Sequence, residues 1–172
     1  MNLFLISGKA GSGKNEVALI IKESLDKTII TSFSKYIKLF ALELTDWDGR
    51  DFDKPRQFLQ EMGDKLRAIS EDFLTKRVFE DIEVYKQEGF KNVIVSDVRL
   101  EHELNYFKSK KDLNVITIRV NCEKGYRDLK DIEKKHHTET DLDSYDNFDF
   151  VINNNFDDKL KEEVLNILKG MK

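Results

Sequence analysis

Leu3-Phe4-Leu5-Ile6-Ser7-Gly8-Lys9-Ala10-Gly11-Ser12-Gly13-Lys14-Asn15 is the stretch from which the rest of the chain can be read. A short apolar run ends in a glycine-rich turn, four residues separate Gly8 from the Gly13-Lys14 pair, and helical periodicity begins at Lys14. This is the spacing of the Walker A pattern in its required strand-to-helix setting. Glycines let successive backbone N–H groups of Gly8, Lys9, Ala10, Gly11, Ser12 and Gly13 turn inward, a helix N-terminus adds partial positive charge, and Lys14 reaches the β- and γ-phosphates of a nucleotide. An ordinary glycine-rich turn is the competing explanation. The pattern places Ser or Thr after the lysine to hold Mg²⁺, and Asn15 stands there instead. Its amide oxygen serves either as a ligand in the metal's shell or as a helix N-terminal cap.

Outward from this loop, short runs rich in Ile, Val and Phe alternate with longer helical stretches, the order of β-α units that feed a parallel sheet. Strands are expected over Asn2–Ser7, Thr28–Phe33, Asn92–Ser96, Asn114–Val120 and Phe148–Ile152, and helices over Lys14–Leu25, Ser34–Leu44, Pro55–Gln87, Leu100–Lys108 and Asp157–Leu168. Leu160, Val164, Leu165 and Leu168 fall on one face of the last helix. The only proline, Pro55, suits a helix start, and Gly89 suits a helix end.

With 172 residues there is room for one domain and little for a second core. Twelve Phe and 40% hydrophobic residues supply enough apolar surface to fold. Twenty-nine basic and 33 acidic residues nearly cancel to −4, which argues against a chain that coats polymeric nucleic acid. The apolar runs are too short to cross a bilayer and the first is cut by Ser7-Gly8-Lys9, so neither a membrane span nor a signal peptide is expected. A single cysteine, Cys122, excludes an internal disulfide, and His102, His136 and His137 show no zinc-ligand spacing. A reducing cytoplasm is the expected compartment.

Beyond the loop, the chain resembles the deoxynucleoside monophosphate kinases of bacteriophages and bacteria, with a more distant likeness to animal-type phosphomevalonate kinases. The resemblance runs over most of the length. It is carried by Ser7-Gly8-Lys9 with Ser12-Gly13-Lys14, Phe33-Ser34-Lys35 with Lys38, and Trp47-Asp48-Gly49-Arg50. Pro55-Arg56, Leu59-Gln60, Gly63 and Arg67 follow, then Ser96-Asp97-Val98-Arg99 with Glu103, His137-Thr138-Glu139, and Asp149-Phe150-Val151-Ile152-Asn153. In these relatives Asp usually follows the loop lysine, so Asn15 departs from them too. The resemblance implies an α/β P-loop NTPase or kinase fold: a parallel five-stranded sheet with helices on both faces, in a single domain over residues 1–172. It further implies an acceptor-binding helical region over about 34–88 and a mobile lid over about 123–146, with ATP and Mg²⁺ as cofactors and a phosphorylated small molecule, a deoxynucleoside monophosphate, as acceptor. A homodimer is compatible with it.

Transfer between two anions requires cations at both ends. Lys14, read as an exposed loop cation, serves the donor. Lys38, Arg56, Arg67 and Arg99 are candidates for the acceptor phosphate, each set against the alternative of a solvated surface cation, and Gln60 joins them by resemblance. Asp97, at the carboxyl end of an apolar run, either orients a magnesium-bound water or an acceptor hydroxyl, or pairs with Arg99 or caps the next helix. Glu103 buttresses Arg99 or lies on a helix surface. Arg127 is the lid cation aimed at the transition state, or one charge on a solvated helix also bearing Lys130, Lys134 and Lys135. Trp47 either stacks on an acceptor base or anchors its own loop. Asn153 to Asn155 contact adenine or form an ordinary turn. Three functions remain open: a kinase acting on a (deoxy)nucleoside monophosphate, a kinase of the same fold acting on phosphomevalonate or dephospho-coenzyme A, and a regulatory module that binds nucleotide without turning over an acceptor.

Overall fold

In the computed structural model, residues 1–122, 136–157 and 159–171 are described. The central sheet has five parallel strands, β1 (Asn2–Ser7), β2 (Thr28–Thr31), β3 (Asn92–Val98), β4 (Asn114–Asn121) and β5 (Phe150–Asn153). Their spatial order is β2-β3-β1-β4-β5. β1, first in the chain, lies in the middle, and its burial on both faces explains its unbroken apolar reading. Near the amino ends of the strands an amide ladder fixes the register. Asn2 donates to Asn92 at 2.8 Å and Asn114 donates to Asn2 at 2.9 Å, each between residues directly paired across the sheet.

Alternate residues of the strands feed two cores. Phe4, Ile6, Ile94 and Ile118 meet Val17, Ala18 and Ile21 of α1 (Lys14–Ser24) and Leu160, Val164 and Leu168 of α6 (Lys159–Gly170). Leu3, Leu5, Val93 and Val95 face the other side. There they meet Ile37 of α2 (Ser34–Leu44), Leu74, Val78 and Ile82 of α4 (Phe73–Gln87), and Leu104 and Phe107 of α5 (Glu101–Lys108). Leu59, Met62 and Leu66 of α3 (Arg56–Ile69) close over this second core. Helices therefore cover both faces.

The expected helix Pro55–Gln87 is two helices. Ser70 is extended (φ −157°), its N–H still bonded to Leu66, and the chain restarts at Phe73. One unbroken helix would run about 50 Å at 1.5 Å per residue, too long for a domain of this size. Ser70 and Asp72 supply the polar side chains that favour a break. Gly89 (φ +86°) ends α4 as expected: Phe90 N–H bonds to Tyr85 O and Gly89 N–H to Lys86 O, with the Phe90 and Tyr85 rings 5.9 Å apart.

Strand ends move as well: β4 runs one residue on to Asn121, and β5 is Phe150–Asn153 rather than Phe148–Ile152. β2 stops at Thr31, so Ser32 and Phe33 lead into α2, and β3 runs on to Val98. This extension carries an irregularity: Leu5 pairs with Val95 but Ser7 pairs with Val98, so β3 spends one extra residue at Ser96-Asp97. Val93, Val95 and Val98 all reach the same core, which confirms the slip in alternation. Such a bulge re-aims a side chain at the end of a strand, and here that side chain is Asp97. The expected lid falls largely on residues 123–135, outside the described residues; within its later part, His137–Thr140 forms one helical turn.

Candidate functional site

The turn between β1 and α1 is shaped by three glycines with positive φ: Gly8 (+154°), Gly11 (+83°) and Gly13 (+92°). A Cβ on Gly8 would lie 2.6 Å from Ser12 Oγ and inside contact distance of the Val120 carbonyl. Only glycine fits there. Ser12 N–H closes the turn onto Lys9 O at 3.1 Å. Buried Asn154 braces it from the end of β5, donating to Ser12 O at 3.0 Å. Gly13 leaves the room for that amide.

Lys14 is buried, only 8% exposed, which corrects its reading as an exposed loop cation. Its Nζ donates to Gly8 O at 2.6 Å and Lys9 O at 2.7 Å. Burial, reinforced by nearby Arg99, lowers its pKa to about 7 from an ordinary 10.5, although Glu139 and Asp97 pull it upward. A cation so placed gains its full charge when an anion arrives beside it.

From this turn a cleft of about 1170 Å³ extends over the carboxyl ends of β1, β2 and β3 towards α2 and α3. Carboxyl ends are where ligands of open parallel sheets bind. The cleft brings together Ala10, Gly11, Gly13, Lys14 and Asn15 at one end, and Lys38, Arg56, Gln60, Arg67, Asp97 and Arg99 along its length. Gly8, Lys9 and Ser12 stand behind the turn and shape it. Lys9 Nζ pairs with Asp143 at 2.7 Å, and Asp143 also holds Arg119, which donates to Ser7 Oγ.

Asp97 does not pair with Arg99. Its two oxygens accept the N–H groups of Phe33 (2.8 Å) and Ser34 (2.9 Å), so it caps the start of α2 and ties that helix to the end of β3. Arg99 instead meets Glu139 at 2.7 Å. Glu103 supports Arg99 through the backbone: one oxygen accepts the N–H groups of Arg99 (2.8 Å) and Leu100 (3.1 Å), while the other lies 3.7 Å from the Arg67 guanidinium. Burial raises the Glu103 pKa to about 7, against the pull of those donors. Gly63 makes space for Arg67, because a Cβ there would sit 3.0 Å from Nη1.

Two expected residues lie elsewhere. Trp47 is buried outside the cleft, its indole N–H donating to Arg50 O at 2.8 Å, so it anchors the loop Thr45–Arg50 and presents no face to an acceptor base. Asn153 points away from the cleft, exposed, and accepts from Asn121 across the sheet at 3.4 Å, while its neighbour Asn154 is the one that reaches the turn. The signal was available, since Ile152 is buried and the residue two further on shares its face. Arg127 lies outside the described residues.

One cleft residue escaped the sequence reading, and another was marked only by the resemblance, without a role. Lys54 lies half-buried in the wall, where burial, with Lys38 and Arg56 adding to it, lowers its pKa. Glu139, placed by family position alone, holds Arg99 and accepts weakly from Ala10 N–H at 3.4 Å. No local pattern marks either one. Compared with known proteins, the sequence matches no family model and no curated protein. The class that fold and site define is an α/β protein with a five-stranded parallel sheet, helices on both faces and a cation-lined cleft at the strands' carboxyl ends. No helix among the described residues is long and apolar enough to cross a membrane.

Proposed function

We propose that this protein is an ATP-dependent kinase of the P-loop class that transfers the γ-phosphoryl group to a (deoxy)nucleoside monophosphate, giving the diphosphate. The observation that carries the reading is Lys14, a buried lysine held by two main-chain carbonyls inside a turn of three positive-φ glycines, at the head of a cleft whose far wall is also cationic. An ammonium has three N–H donors, and the described residues take two. The third is left for a phosphoryl oxygen.

In this reading the turn cradles the β- and γ-phosphates of ATP, and Arg56, Arg67, Arg99 and Lys38 hold the acceptor phosphate. Guanidinium forks suit its oxygens by paired hydrogen bonds. An acceptor phosphate oxygen bonds to the γ-phosphorus as the bond to the β-phosphate oxygen breaks, and ADP leaves. Such a transfer needs little from the protein beyond alignment and neutralisation of charge. Asn15 and Asp97 fit a magnesium ion as oxygen donors. The two oxygens of Asp97 each accept one N–H and keep lone pairs for a metal-bound water. Magnesium, when bound with the nucleotide, neutralises charge on its β- and γ-oxygens.

A second acceptor class, phosphomevalonate, is served by the same cations. Burial of Trp47 removes the aromatic group that favoured a base over a lipid precursor. The test is ADP formation from Mg-ATP with deoxy- and ribonucleoside monophosphates, phosphomevalonate and dephospho-coenzyme A in parallel. Turnover that depends on a nucleoside monophosphate, and falls at least about 1,000-fold in Lys14→Ala, is expected. Slow ATP hydrolysis indifferent to every acceptor would replace the kinase with a nucleotide-binding regulatory module.

A further inference from the structure

Asp64 on α3 and the histidine pair at the turn His137–Thr140 come from parts of the chain 72 residues apart, yet they converge. His136 Nε2 lies 3.0 Å from Asp64 Oδ2, and His137 Nε2 lies 3.6 Å from Asp64 Oδ1. One donor atom from each of the three residues falls within 4.8 Å of the others. We propose that Asp64, His136 and His137 form a binding site for a divalent transition-metal ion of the zinc class, which clamps this turn to α3.

The distances suit the chemistry. Ligand atoms about 2.0–2.1 Å from a tetrahedral ion stand about 3.3 Å from one another, and the two imidazole nitrogens lie 3.0 and 3.6 Å from the two different oxygens of Asp64. Two imidazoles and one carboxylate are a donor set for zinc rather than for magnesium or calcium, which take oxygen. A simple His–Asp hydrogen bond uses one imidazole, whereas here two Nε2 atoms approach the two oxygens of a single carboxylate. His136 Nδ1 lies 2.9 Å from Thr138 Oγ1 and accepts weakly from Thr138 N–H at 3.4 Å. An ion on Nε2 would move the ring proton to Nδ1, where the Thr138 hydroxyl accepts it as the outer partner of a metal-bound histidine and the weak N–H contact is given up. Arg67 lies 3.6 Å from Asp64 Oδ1 but is shared with Glu103, which would retain it once an ion engages Asp64.

The clamp would act on the cleft by position, because Thr138 and Glu139 follow the histidines directly and Glu139 holds Arg99. Sequence spacing hides the site, since its carboxylate sits on a distant helix. The proposal does not rest on phosphoryl transfer and is tested without it. Tag-free full-length protein, stripped with a chelator, is titrated with Zn²⁺ by calorimetry and with Co²⁺ by visible absorption. One ion per chain, a tetrahedral-type cobalt spectrum and no displacement by excess Mg²⁺ are expected. Loss of an outer-shell partner costs about 10–100-fold in affinity, so Asp64→Asn and His136→Ala should each cost more than about 100-fold. If His136→Ala fails to fold, Asp64→Asn, on a part-exposed helix face, carries the comparison alone. Absence of zinc binding, wild-type affinity in the variants, or a thiolate-to-cobalt charge-transfer band from Cys122 would overturn the site.

Discussion

The two ends of the cleft are built by different means. At the head, the chain from Gly8 to Lys14 makes a site from consecutive residues: three positive-φ glycines set the path, main-chain carbonyls hold the lysine, and Asn154 braces the turn from behind. At the far wall, Lys38, Arg56, Arg67 and Arg99 come from α2, α3 and the end of β3. Acidic side chains hold two of them, Glu139 against Arg99 and Glu103 near Arg67. A backbone-made site tolerates almost no substitution, whereas a site made of side-chain pairs loses function in graded steps.

The largest effect should come from testing the rigid end. Gly8→Ala forces a side chain against the Val120 carbonyl and Ser12 Oγ at a φ that L-residues seldom adopt. Strain and overpacking together should remove about 3 kcal/mol or more of stability, read as a lowered denaturation midpoint, and nucleotide binding should go with it. Wild-type stability in this variant would mean that the turn is as adaptable as the wall.

Arg99→Ala probes the wall. A hydrogen bond to a charged group contributes about 1.5–3 kcal/mol, so acceptor kcat/KM should fall about 10- to 100-fold while ATP affinity, measured separately by calorimetry, stays within about twofold. A loss of ATP affinity instead would move Arg99 to the head of the cleft and erase the division between the ends. Glu139 beside it would then need another explanation.

Both ends carry a buried group shifted to about neutrality, from opposite directions. Glu103 has its folded pKa raised to about 7 from 4.5, so its stabilising contribution is complete below about 4.5 and is lost as pH rises through about 7. Lys14 has its folded pKa lowered to about 7, so its unfavourable contribution is complete below about 7 and fades towards 10.5. Near neutrality both buried groups are therefore at their least comfortable. An anionic ligand relieves the lysine by supplying its counter-charge. Glu103→Gln keeps an oxygen for the Arg99 and Leu100 N–H groups and cannot ionise. Unfolding between pH 4.5 and 7 should show a flatter stability profile in this variant than in the wild type, by an amount on the order of 1–3 kcal/mol. An unchanged slope in that window would assign it to other carboxylates.

The same division explains what could be read from the sequence. The glycine-lysine turn, the five strands and the amphipathic last helix depend on neighbours a few residues apart, and each was legible to within a few positions. The break at Ser70, the extra residue at Ser96-Asp97, and the pairing of Glu139 with Arg99 depend on which elements meet in space. No window of sequence contains both partners. Asp97 illustrates the limit well: its position at a strand end was legible, while its two bonds to the start of α2 needed the fold.

Trp47 gives the smallest effect and the cleanest discrimination, because the sequence left open a ring stacked on an acceptor base or one that anchors its own loop, and the structure shows the anchoring contact. Its indole N–H closes the loop onto Arg50 O, and its ring is buried away from the cleft. Trp47→Phe keeps most of the apolar area and loses that one bond, so stability should fall by about 1 kcal/mol with acceptor KM unchanged. A ring that stacked on an acceptor base would behave in the opposite way, with stability preserved and KM raised, and the fluorescence of this sole tryptophan would respond to the acceptor. That outcome would extend the far wall into the loop Thr45–Arg50. The expected one confines it to cations on α2, on α3 and just past the end of β3, and in the proposed kinase leaves acceptor choice to the geometry of those charges.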